Sequence, residues 1–218
     1  MLNMAAGTSF SCFIEQLAEG LKKPLPGEAA HPEMEAMAAK YLGVLPDENT
    51  RKSAVLMLLY PCAGKICFPL ILRRSYSGFH SGEVSFPGGK YELGDNDLIQ
   101  TALREANEEI GLVASDVRIL GTLTEVFIGP SNFMMLPVLG YIPYRPNFVP
   151  DTREVEQIFE VDLEHFAAFG AVSISEISIP GDQVLTPHYS LDGHKVWGAT
   201  AKAINELLSV AAAKKNQY

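Results

Sequence analysis

The chain has 218 residues, 47% of them hydrophobic and 20% charged, which is enough to bury a full core, and one domain with an N-terminal extension is the simplest organisation. A formal net charge of −9 argues against a nucleic-acid surface, which depends on clustered Lys and Arg, but leaves a phosphate substrate open because bound cations invert the local field. No apolar run reaches the ~18 residues of a membrane span, and Cys12, Cys62 and Cys67 fit neither a paired framework nor a zinc spacing.

In chain order, residues 9–22 carry a helical stripe of Phe10, Phe13, Ile14, Leu17 and Leu21, stopped by Pro24-Leu25-Pro26-Gly27. A second helix is expected over 32–42, with Pro32 in its first turn. Together these form an extension over 1–48 that packs on the main domain, 49–218, or on a second subunit, so a homodimer is allowed. Residues 54–60 are a continuous apolar run ending at Pro61, which reads as a buried strand, and 66–73 make its partner across a turn at Cys62-Ala63-Gly64-Lys65. A helix follows over 97–110, capped by Asp95 or Asn96 and closed by Gly111 in the left-handed position. Long strands are expected over 117–128 and 132–144, a helical or irregular segment over 154–165, short strands over 172–179 and 184–189, and a closing helix over 197–215 entered at Trp197. Strands mixed with helices, without regular βαβ alternation, indicate an α/β (α+β) domain with a mixed sheet between helices. The N-terminus lacks the charged region and long apolar core of a secretory signal, so a cytoplasmic chain with reduced thiols is expected.

The helix over 97–110 carries the chemistry. At 100° per residue, Glu105, Glu108 and Glu109 share an arc of about 100°, while Ile99, Ala102, Leu103, Ala106 and Ile110 share another that suits a core. Three carboxylates at these spacings repel one another by a few tenths of a kcal/mol per pair. A hard divalent cation with oxygen ligands would offset that repulsion, and magnesium or manganese suits an all-oxygen site. Phe86-Pro87-Gly88-Gly89 ahead of the helix reads as a loop that lets the backbone approach such a site.

The stretch resembles the signature of the Nudix hydrolases, with Gly89, then Asp95, then Arg104-Glu105, Glu108-Glu109 and Gly111. Upstream, Leu72-Arg73-Arg74-Ser75 and the run from His80 through Gly82-Glu83 to Phe86-Pro87-Gly88-Gly89 resemble the extra motif of the coenzyme A pyrophosphatase branch. The additional residue between Gly89 and Arg104 is typical of that branch. Further matches at Pro130-Ser131, Phe133, Pro137-Val138, Glu154-Val155 and Trp197-Gly198 extend the resemblance over residues 50–208. One departure is that Tyr76-Ser77-Gly78-Phe79 lacks the arginine usual before the histidine.

The resemblance implies a Nudix-type α/β/α sandwich and a metal-dependent pyrophosphatase. Glu105, Glu108 and Glu109 would hold Mg2+ or Mn2+, with a carbonyl from Gly88 or Gly89. Arg104 would orient a motif glutamate, and Glu154, with Glu156 behind it, would serve as the base. Arg73 and Arg74 would reach substrate phosphate, and His80, Ser131 and Phe133 would line the pocket, Phe133 either stacking on adenine or packing in the core. The substrate implied is coenzyme A or an acyl derivative, split to 3′,5′-ADP and the phosphopantetheine product. The missing arginine keeps ADP-ribose or a dinucleotide open, and a nucleotide-binding module without turnover is the reading from another class.

Overall fold

A computed structural model describes residues 9–30, 44–75, 78, 80–168, 171–179 and 182–212. Helix α1 (Phe10–Leu21) precedes strands β1 (Arg51–Cys62), β2 (Lys65–Arg73), β3 (Val84–Ser85) and β4 (Gly88–Lys90). Helix α2 (Leu98–Ile110) is followed by β5 (Arg118–Thr122), β6 (Val126–Ile128), β7 (Phe133–Tyr141) and β8 (Val155–Asp162). Then come α3 (Leu163–Ala167), β9 (Val172–Ile179), β10 (Asp182–Leu191), β11 (His194–Trp197) and α4 (Gly198–Ala212). The helix expected over 32–42, the end of the closing helix beyond 212 and residues 76, 77 and 79 lie outside the described residues.

Strand β1 organises the domain. It runs parallel to β7, from Arg51 opposite Phe133 to Leu59 opposite Tyr141. Its other edge takes β4 antiparallel at Ser53–Val55 and β2 antiparallel at Tyr60–Cys62. The eight-stranded sheet has the order β3-β2-β1-β7-β5, with β8 on β2 and β6 on β7. A second antiparallel sheet runs β11-β10-β9.

The apolar run of β1 is explained by burial on both faces. Ala54, Leu56, Leu58 and Tyr60 pack with Ala102, Ala106 and Ile110 of α2. The alternate residues Val55, Met57 and Leu59 pack with Phe13, Ile14 and Leu17 of α1 and with Ile204, Leu207 and Val210 of α4. Helices therefore cover both sides of a mixed sheet, the expected α/β/α sandwich. Helix α1 shares the main core, so this part of the N-terminal extension is built into the sandwich. Glu206 fastens the same layer: its carboxylate is 2% exposed and accepts from Gly27 N at 3.0 Å, Thr124 N at 2.9 Å and Thr124 Oγ1 at 2.6 Å. Glu206→Ala leaves these donors without their acceptor, and urea unfolding is expected to show a loss of about 1–3 kcal/mol or more.

Several expectations are corrected. Residues 155–162 form a strand, because Val155, Phe159 and Val161 turn inward while the segment pairs along β2. The strand expected over 117–128 breaks into β5 and β6 around the buried Leu123, whose N–H bonds to Pro137 O. Gly88–Lys90 is a strand rather than a loop, and Trp197 ends β11 instead of opening α4. Asp97, not Asp95 or Asn96, caps α2, accepting from Gln100 N at 2.8 Å. Gly111 closes the helix at φ 66°, as its left-handed position requires.

Candidate active site

The site forms where the second half of α2 meets β4 and the end of β2. Glu109 is 1% exposed, so the expected face of three presented carboxylates is corrected at this position. Its Oε2 accepts from Gly88 N at 2.8 Å and its Oε1 lies 3.2 Å from Arg73 Nη1. Arg73 Nη1 also donates to Gly88 O at 3.4 Å. The strand-end arginine thus turns its guanidinium inward, onto the glutamate and the glycine strand. Arg74 is exposed, and its backbone N–H donates to Glu154 O at 2.9 Å.

Burial pushes the Glu109 carboxyl up to about 7; Arg73 and the Gly88 N–H lower it in part, and the charges of Glu105 and Glu154 raise it further. Glu105 is also pushed up by burial, against the pull of Arg104. A carboxyl whose folded pKa lies above its ordinary 4.5 favours the folded state fully below that value and loses this as pH rises through about 7. Metal-free protein is therefore expected to lose up to about 3 kcal/mol between pH 5 and 8. Thermal melting in chelator should show this fall, and Glu109→Gln should flatten it.

Glu105 lies against the glycine strand. A Cβ on Gly89 would stand 2.5 Å from its Cδ and 2.6 Å from each carboxylate oxygen. Only glycine allows this approach. Arg104 holds the arrangement from the other side: Nε lies 2.9 Å from Asp95 Oδ1 and Nη2 3.1 Å from Oδ2. Its Nη1 lies 3.0 Å from Glu105 Oε1 and 3.1 Å from Glu108 Oε2, and Nη2 donates to Lys90 O. The Arg104 hydrogen bonds hold Asp95 well below the usual carboxylate range. Asp95 is thus the buried anchor of Arg104, also accepting from Thr101 Oγ1 at 2.9 Å and Glu92 N at 3.0 Å.

Glu105 and Glu109 are brought together beside Gly88 and Gly89, whereas the Glu108 side chain is 57% exposed and turned to Arg104. Among the described residues, no three His, Cys, Asp or Glu side chains converge on one cation position. The donor set still fits a hard divalent ion, since Mg2+ takes one or two carboxylates and completes its shell with water and substrate phosphate. One buried carboxylate, pushed up to about 7 chiefly by burial, and one part-buried carboxylate beside it are suited to that ion. Glu154, in the turn before β8, and Glu156, on β8, are both exposed, and the Glu154 charge reaches Glu109.

The remaining expected substrate residues form a second group. His80 Nδ1 lies 2.9 Å from Glu83 Oε2, and its Nε2 lies 3.0 Å from Ser131 Oγ. Both ring nitrogens are engaged, so a phosphate contact by His80 would have to displace one partner. Phe133 is half-buried with Arg51 Cζ 4.0 Å above its ring, and Arg51 Nη2 donates to Ser131 O at 2.7 Å. Sequence reasoning missed Arg51, Glu83 as a partner and the anchoring role of Asp95. The four-residue span from His80 to Glu83 is the signal that was present for one of them.

A NUDIX domain family model matches residues 50–178. The chain is 32% identical over 160 residues to the "Uncharacterized Nudix hydrolase NudL" of Photorhabdus laumondii, covering 73% of this chain and 84% of that one. It is 36% identical over 153 residues to the human "Mitochondrial coenzyme A diphosphatase NUDT8", covering 68% of this chain and 64% of that protein. The crystal structure of RenU, a Nudix hydrolase from M. smegmatis, superimposes with a TM-score of 0.54 at 21% identity over 81% of this chain and 99% of that one, which shows a shared fold.

Proposed function

The chain belongs to the Nudix hydrolase family, enzymes acting on phosphoric anhydride bonds, and from that premise we propose that it hydrolyses the diphosphate of coenzyme A or acyl-coenzyme A to 3′,5′-ADP and the corresponding phosphopantetheine. The observation that carries the reaction type is the pair of carboxylates, buried Glu109 and part-buried Glu105, packed against Gly88-Gly89. The substrate rests on the upstream run from Leu72 to Gly89 and on the human relative named as a coenzyme A diphosphatase.

Glu105 and Glu109 would hold Mg2+ or Mn2+, completed by a carbonyl of Gly88 or Gly89; bound there, the ion neutralises the diphosphate and acidifies the attacking water. Arg73 and the Gly88 N–H fix the Glu109 carboxylate, and Arg104, locked onto Asp95, fixes Glu105. Glu108 balances Arg104 at the solvent edge. Glu154, exposed and within electrostatic reach of Glu109, is the group to take the proton from water. Arg74, exposed, would meet the outer phosphates, and Phe133, half-buried with Arg51 over its ring, would line the base site with Ser131.

The test is chromatography of coenzyme A incubated with the purified chain, in magnesium and in chelator. Release of 3′,5′-ADP in magnesium alone is expected. No cleavage of coenzyme A, with cleavage of ADP-ribose or a dinucleotide, would keep the reaction and overturn the substrate.

A further inference from the structure

His80 sits between β2 and β3 with a left-handed backbone, φ 65°. Such a conformation costs a non-glycine residue on the order of 1 kcal/mol or more and persists where surrounding contacts over-determine it. The contacts at His80 are two ring hydrogen bonds and a backbone bond from Glu83 N to His80 O. A carboxylate only accepts, so with Glu83 ionised the Nδ1 carries the proton, and neutral imidazole then leaves Nε2 to accept from the Ser131 hydroxyl. The order is serine hydroxyl, imidazole, carboxylate, across a sequence separation of 51 residues.

We propose that Ser131, His80 and Glu83 form a nucleophile, base and orienting acid that accepts acyl groups from activated esters or thioesters. The geometric signature is a nucleophile within hydrogen-bond reach of a base that a third group orients. Ser131 stands on a tight turn, Gly129–Ser131, and the next residue, Asn132, is left-handed at φ 50°. Arg51 holds the Ser131 carbonyl and Thr50 Oγ1 holds Asn132 Oδ1 at 2.9 Å, so the serine is fixed on its turn. Ser131 is 5% exposed, and the imidazole beside it is the more open of the two, with 34% of the His80 side chain exposed.

In the first step Ser131 Oγ forms a bond to the acyl carbon while its proton passes to His80 Nε2. The tetrahedral adduct collapses, the carbon–oxygen or carbon–sulfur bond to the leaving group breaks, and that group leaves with the proton from Nε2. Water, deprotonated by the same nitrogen, then cleaves the acyl-serine and restores the hydroxyl. No oxidant, reductant or cation takes part, so the activity does not depend on the diphosphatase reading.

The experiment treats the full chain, in chelator, with a fluorophosphonate probe and, separately, with p-nitrophenyl acetate. The expected result is one phosphonyl group on Ser131, found by peptide mass mapping of the native protein, together with nitrophenolate release. Ser131→Ala should abolish both. His80→Gln, which keeps hydrogen-bonding groups but removes the base, should slow labelling by about 10²-fold or more. An unmodified Ser131 in the folded wild-type protein would overturn the proposal, and so would labelling of Ser131 at an unchanged rate in His80→Gln. Because the first result is read on the wild-type chain, a variant that fails to fold does not blunt the test.

Discussion

Glu109→Gln is expected to lower kcat by about 10³-fold while the protein still unfolds cooperatively. The substitution keeps the shape of a side chain that is 1% exposed and keeps an acceptor for Gly88 N. What it removes is the negative charge that faces Arg73 and that a divalent cation requires. Glu108 is the matched control. Its side chain is 57% exposed and its partner is Arg104, so Glu108→Gln should cost no more than about tenfold, the range of a solvent-screened ion pair. Steady-state kinetics in saturating magnesium, beside a thermal melt of each variant, separate the two. Equal losses at both positions would mean that the helix works as an undifferentiated acidic face.

Gly89→Ala is expected to cut turnover by about 10²-fold with little change in stability. The new methyl would stand 2.5 Å from the Glu105 carboxyl carbon, and that side chain has little freedom to retreat. It is 15% exposed and held by Arg104 at 3.0 Å. A shift of about 1 Å in one of the two carboxylates is enough for the loss. The neighbouring position should behave differently. A Cβ on Gly88 would meet Ala54 O at 2.4 Å and Val55 Cα at 2.6 Å, which is backbone that cannot move without breaking the β1–β4 pairing. Gly88→Ala is therefore expected to lower the melting temperature, where Gly89→Ala lowers kcat and metal affinity. A Gly89→Ala enzyme with unchanged kcat would show that Glu105 is free to move and is not a fixed ligand.

Local pattern carried much of the architecture. The continuous apolar run 54–60 announced a buried strand, and both its faces are covered, by α2 and by α1 with α4. The stripe of α1 and the glycine closing α2 were legible for the same reason: their signals are local to one helix. Strand β8 was hidden because Gln157 and Ile158 interrupt its alternation, and its inward residues have meaning only once β2 lies beside them. Strand β4 has three residues, two of them glycine, and exists because β1 offers an edge at Ser53–Val55.

The candidate site divides in the same way. Helical spacing put Glu105, Glu108 and Glu109 near one another, but which of them face inward depends on distant partners. Arg104 draws Glu108 outward, and the strand at Gly88-Gly89 covers Glu109. The inward turn of Arg73 and the linkage of His80 to Ser131 cross 36 and 51 residues respectively, and no local period records them.

The most direct measurement is the ratio of kcat/KM for coenzyme A to that for ADP-ribose and for a diadenosine polyphosphate, in magnesium, with products identified as 3′,5′-ADP and 4′-phosphopantetheine. A ratio well above one, abolished by chelator and by Glu109→Gln, is the expected result. A ratio below one would contradict the assignment to coenzyme A, and turnover that survives both chelator and Glu109→Gln would contradict the role of Glu105 and Glu109.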